Sequence, residues 1–226
     1  FWAPDIILDG EIFHMYLTYV PGTFSNWSQP REIIHLISKD LKNWHFQSVL
    51  PVGNHKVIDA EVVKIKEGHW RMWYNNESDK KSIYYADSED LYYWKDKGKA
   101  FQSRGEGPEV FYWQGKYFMI IDAWKGMEVY SSTDLLHWEK QEKRILEFPG
   151  TGKDDQAIGG HCSVIVNNNK AYIFYFTHPG RNKQAPAVKN SFDDKRSVIQ
   201  LAELKYVNDQ IVCERDAPVK INLKGL

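Results

Sequence analysis

The stretch Ser38-Lys39-Asp40-Leu41-Lys42-Asn43-Trp44 returns as Ser88-Glu89-Asp90-Leu91-Tyr92-Tyr93-Trp94 and again as Ser132-Thr133-Asp134-Leu135-Leu136-His137-Trp138. The three starts lie 50 and 44 residues apart. Repetition at that period belongs to solenoids, propellers and arrays. It also turns the rest of the chain into aligned copies.

Working outward from the phrase, each copy follows one plan. A short apolar run comes first, at Asp5–Leu8, Val62–Ile65, Val110–Trp113 and Ser163–Val166. A turn follows, at Asp9-Gly10, Glu67-Gly68, Gln114-Gly115 and Asn167–Asn169, and these are hairpin signals. An aromatic-rich run returns, at Ile12–Tyr19, Trp70–Tyr74, Tyr117–Ile121 and Ala171–Thr177. A third run, Ile33–Ile37, Ile83–Ala86 or Met127–Tyr130, leads into the phrase. In the last unit Ser197–Leu204 takes that place and Gln210–Cys213 supplies a closing strand.

Four short antiparallel strands per unit, with almost no helical periodicity, describe a β-propeller blade. The expectation is an all-β, single β-propeller domain over residues 1–226, with blades near 1–50, 51–100, 101–150 and 151–226. The repeated phrase sits between third and fourth strands, where its Asp bonds turn N–H groups while Leu and Trp pack between blades. A residue present in every copy belongs to the scaffold.

Composition narrows the function classes. The formal charge of the 226 residues is −1 with acids and bases mixed, so neither nucleic acid nor a disordered acidic arm is expected. Apolar runs are strand-sized, which excludes a membrane-spanning helix. Phe1 opens directly into an apolar segment without an initiator Met or signal peptide, and an upstream segment is expected. Two cysteines, Cys162 and Cys213, leave the compartment undecided, a secreted or periplasmic site being favoured for a bacterial source. Aromatics are 15% of residues, with 9 Trp and 13 Tyr. They serve a pleated core or sugar-stacking platforms. The histidines His14, His35, His55, His69, His137 and His178 lack zinc-site spacing and read as scattered surface residues. Asn26-Trp27-Ser28 and Asn76-Glu77-Ser78 fit a glycosylation pattern that short motifs often meet by chance. Residues Pro179–Asp194 read as a long loop at the channel mouth.

The informative differences lie where each blade opens. The four openings are Trp2-Ala3-Pro4-Asp5, Ile58-Asp59-Ala60-Glu61, Glu106-Gly107-Pro108-Glu109 and Gly160-His161-Cys162-Ser163. Three carry acids and the fourth a histidine. Carboxylates converging on a propeller channel suit glycosidic-bond hydrolysis, in which one carboxylic acid protonates the leaving oxygen and a carboxylate activates water or attacks. Crowding of like charges keeps one of them protonated near neutral pH. The same acids also serve as caps on strand ends.

The phrases FWAPDI, VIDAEV, GEGPEV with YWQGKYFMI, and GGHCSVIV resemble glycoside hydrolase family 43, from Phe1 to about Tyr206. The resemblance implies a five-bladed propeller, with about four blades in this chain, that cleaves arabinose- or xylose-containing polysaccharides with inversion. It implies that Glu106 is the general acid and that Asp59 tunes and orients it. It also implies that Trp2 walls the sugar site, that His161 lies in the channel beside a calcium ion in several members, and that Arg196 reaches the substrate. No cofactor is required and calcium stays open. Asp5 and Glu61 are further substrate-binding candidates; Glu61 departs from the small polar residue usual in the family. The family's base aspartate belongs to a first blade, so this pattern looks like blades two to five, with the base upstream of Phe1. The alternatives are a carbohydrate-binding propeller that has lost the base, a structural propeller with an acidic channel, or a related hydrolase acting on fructans or mannosides.

Overall fold

The computed structural model describes residues 1–221. Its strands form four antiparallel sheets of four, each with neighbours in chain order. The chain divides into two compact units, residues 1–108 and 109–226.

In the first unit, one sheet joins β1 (Trp2–Asp9), β2 (Ile12–Tyr19), β3 (Glu32–Ser38) and β4 (His45–Val49), and the next joins β5 (Val57–Lys66), β6 (His69–Asn76), β7 (Ser82–Ser88) and β8 (Trp94–Lys99). Tyr16, Ile33, Val57, Met72, Leu91 and Trp94 belong to a core shared by the two sheets, each fully buried side chain stabilising by about 1.5–3 kcal/mol.

The third sheet joins β9 (Glu106–Trp113), β10 (Lys116–Asp122), β11 (Met127–Ser132) and the two-residue β12 (Glu139–Lys140). The boundary between the units falls inside β9, after Pro108. The fourth sheet joins β13 (Gly160–Asn167), β14 (Lys170–Thr177), β15 (Val198–Val207) and β16 (Gln210–Cys213). The second unit's core includes Phe118, Ile120, Val129, Ile173, Tyr175 and Leu204. Its hairpin turns Gln114-Gly115 and Asn168-Asn169 carry positive φ at both central residues, the geometry that matches strand twist. The expected loop of residues 179–194 holds a 3₁₀ turn, Pro179–Arg181, and a helical turn, α1 (Phe192–Lys195). Among the described residues no helix is long and apolar enough to cross a membrane.

The repeated phrase is a turn of fixed chemistry. Asp40 Oδ1 accepts the N–H groups of Lys42 (2.9 Å) and Asn43 (2.8 Å). Asp90 Oδ1 does the same for Tyr92 (2.9 Å) and Tyr93 (2.8 Å). Asp134 Oδ1 accepts Leu136 and His137, both at 2.8 Å. The bonds from Asn43 and Lys42 hold the Asp40 carboxyl well below the usual carboxylate range. The central leucine is left-handed in every copy, with φ of 58° at Leu41, 66° at Leu91 and 62° at Leu135. Packing differs between copies. Leu91 is 0% exposed, and its carbonyl accepts the Tyr16 hydroxyl of the preceding sheet at 2.7 Å. Leu41 is 49% exposed, so its copy shapes the turn without filling a seam.

Two histidines depart from the surface reading. His14 on β2 and His35 on β3 are buried, with Nδ1 of the first 3.0 Å from Nε2 of the second. His35 stacks on Tyr16 at 4.9 Å, and Tyr92 closes the group edge-on. The reason is strand alternation: His14, Tyr16 and Thr18 share one face of β2, the face that receives the next sheet. Burial lowers the His14 pKa and pushes His35 down to about 4.

Candidate functional site

The blade openings lie within the strands, not ahead of them, and in three of the four the strand absorbs an extra residue. Pairing shifts register between Trp2 and Asp5, between Ile58 and Glu61, and between Gly160 and Cys162. The backbone turns left-handed at Ala3 (φ 45°), Asp59 (φ 56°) and Gly107 (φ 57°). These are β-bulges, which re-aim side chains. Only Gly107 adopts that φ without penalty; at Ala3 and Asp59 the strain is held by surrounding structure.

The aligned acids two residues beyond the bulge work as ties. Asp5 Oδ2 accepts the N–H of Val62 at 2.7 Å, joining β1 to β5. In the second unit Glu109 Oε1 accepts the N–H of Val164 at 2.5 Å, joining β9 to β13. Glu61 holds the same place in its own opening. Asp5 is half-buried, and desolvation of its carboxyl raises its pKa to about 6 against the hydrogen bonds from Val62 and Ile6. The bulge residue is tied as well. Asp59 N–H donates to Thr18 Oγ1 at 3.0 Å, and His161 N–H donates to Asp122 Oδ2 at 3.0 Å.

In the first unit these ties converge on Glu106. Asp59 is 3% exposed, and its Oδ2 accepts the N–H of Gly107 at 3.2 Å, on the peptide unit next to Glu106. Gly105 N–H donates to the Lys81 carbonyl at 3.1 Å, and buried Asn75 donates its amide to the Gly105 carbonyl. The backbone is therefore fixed on both sides of Glu106. The Glu106 carboxylate meets Lys81 Nζ at 2.9 Å, and the same ammonium lies 3.2 Å from Glu77 Oε1. Glu77 also pairs with Arg31 and accepts Trp27 Nε1–H at 3.0 Å. Arg31 covers the Trp27 ring at 4.5 Å, and Trp27 meets the expected sugar wall Trp2 at 5.6 Å.

Sequence reading brought Trp2, Asp59 and Glu106 into this unit and missed Trp27, Arg31, Glu77 and Lys81. Trp27 is 58% exposed although braced by both Glu77 and Arg31. The two glycosylation-like triplets are Asx turns: Asn26 Oδ1 accepts Ser28 N–H at 3.0 Å and Asn76 Oδ1 accepts Ser78 N–H at 3.1 Å.

In the second unit His161 packs edge-on to Phe176 at 6.0 Å, and Phe176 meets His178 at 5.1 Å. His178 Nδ1 donates to the Arg196 carbonyl at 3.1 Å. The Arg196 guanidinium pairs with Asp154 at 2.9 Å, and that bond raises the Arg196 pKa and lowers that of Asp154. Among the described residues no group of three or more His, Cys, Asp or Glu side chains is gathered to hold a metal ion.

No protein-family profile matches this sequence, and no curated protein does either. Solved structures do match. A thermostable family-43 glycoside hydrolase superposes with a TM-score of 0.74 at 18% identity, covering 97% of this chain and 77% of its own. The α-L-arabinofuranosidase of Lactobacillus brevis gives 0.70 at 17% identity, with 99% and 78% covered. The Bombyx mori GH32 β-fructofuranosidase gives 0.67 at 14% identity, with 93% of this chain but 49% of that one. These likenesses show the fold. It is a β-propeller, with four blades among the described residues. The neighbours are glycoside hydrolases, and the two families among them differ in the sugar named.

Proposed function

We propose that this protein is a family-43-like glycosidase that hydrolyses arabinose- or xylose-containing oligosaccharides or polysaccharides with inversion. Glu106 donates a proton to the leaving oxygen, and Asp59 tunes and orients it. A second carboxylate activates the water that attacks from the opposite face of the sugar ring. Trp2 stacks on the sugar, and Glu61, His161 and Arg196 contact substrate; Asp5 serves chiefly as the tie to Val62.

The observation that carries this reading is the bond from Gly107 N–H to the buried Asp59 carboxylate at 3.2 Å. It couples the backbone of one opening to the acid of the previous one, beside Glu106. The strain at Asp59 fits the same reading, since residues held in sparsely populated regions cluster at functional sites.

The Glu106→Gln variant of the full-length protein keeps the shape of the side chain and removes the titrating proton. Turnover of arabinosides and xylosides is expected to fall by about 10²–10⁴-fold. Wild-type-like turnover in that variant refutes the assignment. Separation of the two carboxyl groups by about 6.5–9.5 Å is expected for inversion. Oligosaccharide binding without hydrolysis by the full-length protein would favour the non-catalytic propeller.

A further inference from the structure

The connection between β2 and β3, residues 20–31, is far longer than its counterparts in the next two sheets, residues 77–81 and 123–126. The first of those counterparts is tight, with left-handed Lys80 and Lys81 at φ of 55° and 59°. Long connections over a rigid scaffold are where binding residues concentrate. This one carries Phe24 and Trp27, both exposed. Phe24 folds back on its own loop, since a side chain at Gly22 would meet its ring at 2.9 Å. Trp27 is held by its neighbours. Its Nε1–H donates to Glu77 Oε1 at 3.0 Å, and the Arg31 guanidinium lies over its ring at 4.5 Å. Arg31 Nη1 also donates to the carbonyls of Trp27 and Gln29, at 3.0 and 2.8 Å. Arg31 is buried, so it backs the indole from the protein side and leaves the outer side open. Trp2 continues the aromatic surface at 5.6 Å, its ring tilted by 35°.

We propose that Trp27 is a second sugar-stacking platform, which binds a further pentose unit of the chain beside the unit on Trp2. The inference rests on the reading of the protein as one that acts on arabinose- or xylose-containing oligosaccharides. An indole left in water adds little to the stability of a core, because hydrophobic gain follows the area removed from water. A ligand gains from the same ring, whose open side takes the C–H groups of a sugar. Fixing the ring beforehand lowers the ordering cost at binding, and the buried pair of Arg31 and Glu77 does that. Glu77 also meets Lys81, and Lys81 meets Glu106, at 3.2 and 2.9 Å. The platform and the proposed proton donor therefore share one framework. Trp27 then sets a preference for chains over single sugars.

The test places Trp27→Gln and Trp27→Phe in the full-length protein carrying Glu106→Gln, with xylohexaose and arabinohexaose as probes in titration calorimetry. Glutamine keeps an N–H donor for Glu77 and removes the ring; phenylalanine keeps a ring and removes the donor. Trp27 lies outside the buried core, so both variants are expected to keep the parent's thermal midpoint. Affinity for the hexaose that the parent binds should fall by about tenfold in Trp27→Gln and stay within about threefold in Trp27→Phe. Unchanged affinity in Trp27→Gln overturns the inference, as does an equal loss in both variants, which would assign Trp27 to the support of Glu77. If affinity ignores Trp27 while Glu106→Gln abolishes hydrolysis, the platform falls and the glycosidase reading stands. If affinity follows the ring while Glu106→Gln still hydrolyses the hexaose at the wild-type rate, the platform stands and the donor reading fails. Failure of the parent to bind either hexaose overturns both.

Discussion

Acid should loosen the first unit through His35. The folded protein holds the ring neutral to about pH 4, whereas an unfolded histidine takes its proton near 6.5. Between those values the unfolded chain binds more protons, so stability rises with pH across that window. It starts to fall as pH drops below about 6.5, and the loss is complete below about 4. The gap corresponds to about 3 kcal/mol at about 1.4 kcal/mol per pH unit, most of it gone by pH 4.5. The geometry explains why no rescue occurs. One imidazole must accept from the other across the 3.0 Å contact, and a doubly protonated pair has two donors and no acceptor. Burial is the largest cause and a charged His14 repels His35⁺, while Asp90 favours His35⁺ and Asp9 favours His14⁺ without prevailing. Asp5 works in the other direction. Its folded pKa near 6 makes the folded state the better proton binder from about 3.8 to 6, where stability falls as pH rises. The raw pH curve therefore mixes the two, and the comparison must be with His35→Gln, which keeps a neutral hydrogen-bonding group beside His14. Urea unfolding from pH 7.5 to 4.5 should show wild type losing about 2–3 kcal/mol more than the variant. Parallel curves for the two proteins would refute the account.

Two further predictions concern the scaffold. Leu91→Ala should cost about 2–5 kcal/mol, whereas Leu41→Ala, at the equivalent place in an exposed copy, should cost under about 1 kcal/mol; equal thermal shifts would contradict the packing difference. Asp5→Asn should gain about 1 kcal/mol at pH 7.5 by removing a buried charge and lose that advantage at pH 4.5. Asp5→Ala should cost about 1–3 kcal/mol at both, because Val62 N–H loses its acceptor, and calorimetry at the two pH values separates these outcomes.

The sequence was legible wherever local chemistry repeats. Ser38, Ser88 and Ser132 announced the three turns, and Asp40, Asp90 and Asp134 bond the backbone in the manner the phrase implies. The strands followed from alternation, and the openings from alignment. The bulges were hidden, because an extra residue inserted beside Asp59 or Ala3 leaves the composition of a strand unchanged and only shifts its pairing. That hidden residue breaks the alternation by which Asp59 and Glu61, two apart, would share one face. The tie made by Asp5 and Glu109 was masked in the same way, since an acid in three openings reads as chemistry until its partner amide is seen. Lys80-Lys81 carries none of the Gly or Asn that marks a left-handed turn, so the approach of Lys81 to Glu106 left no signal. The signal for His14 and His35 existed in the face shared with Tyr16, and the absence of zinc spacing concealed it.

The bulged opening has a consequence for how such a chain can change. An acid two residues past the bulge fastens neighbouring sheets in two openings, as Asp5 and Glu109 show, and the two positions before the proline or its equivalent share that duty through Asp59 and His161. Trp2-Ala3, Ile58-Asp59, Glu106-Gly107 and Gly160-His161 are what now fills those positions. An opening is thus a joint as well as a presenting surface: exchanging Asp59 changes what the opening offers and at the same time removes an acceptor that ties it to the next sheet.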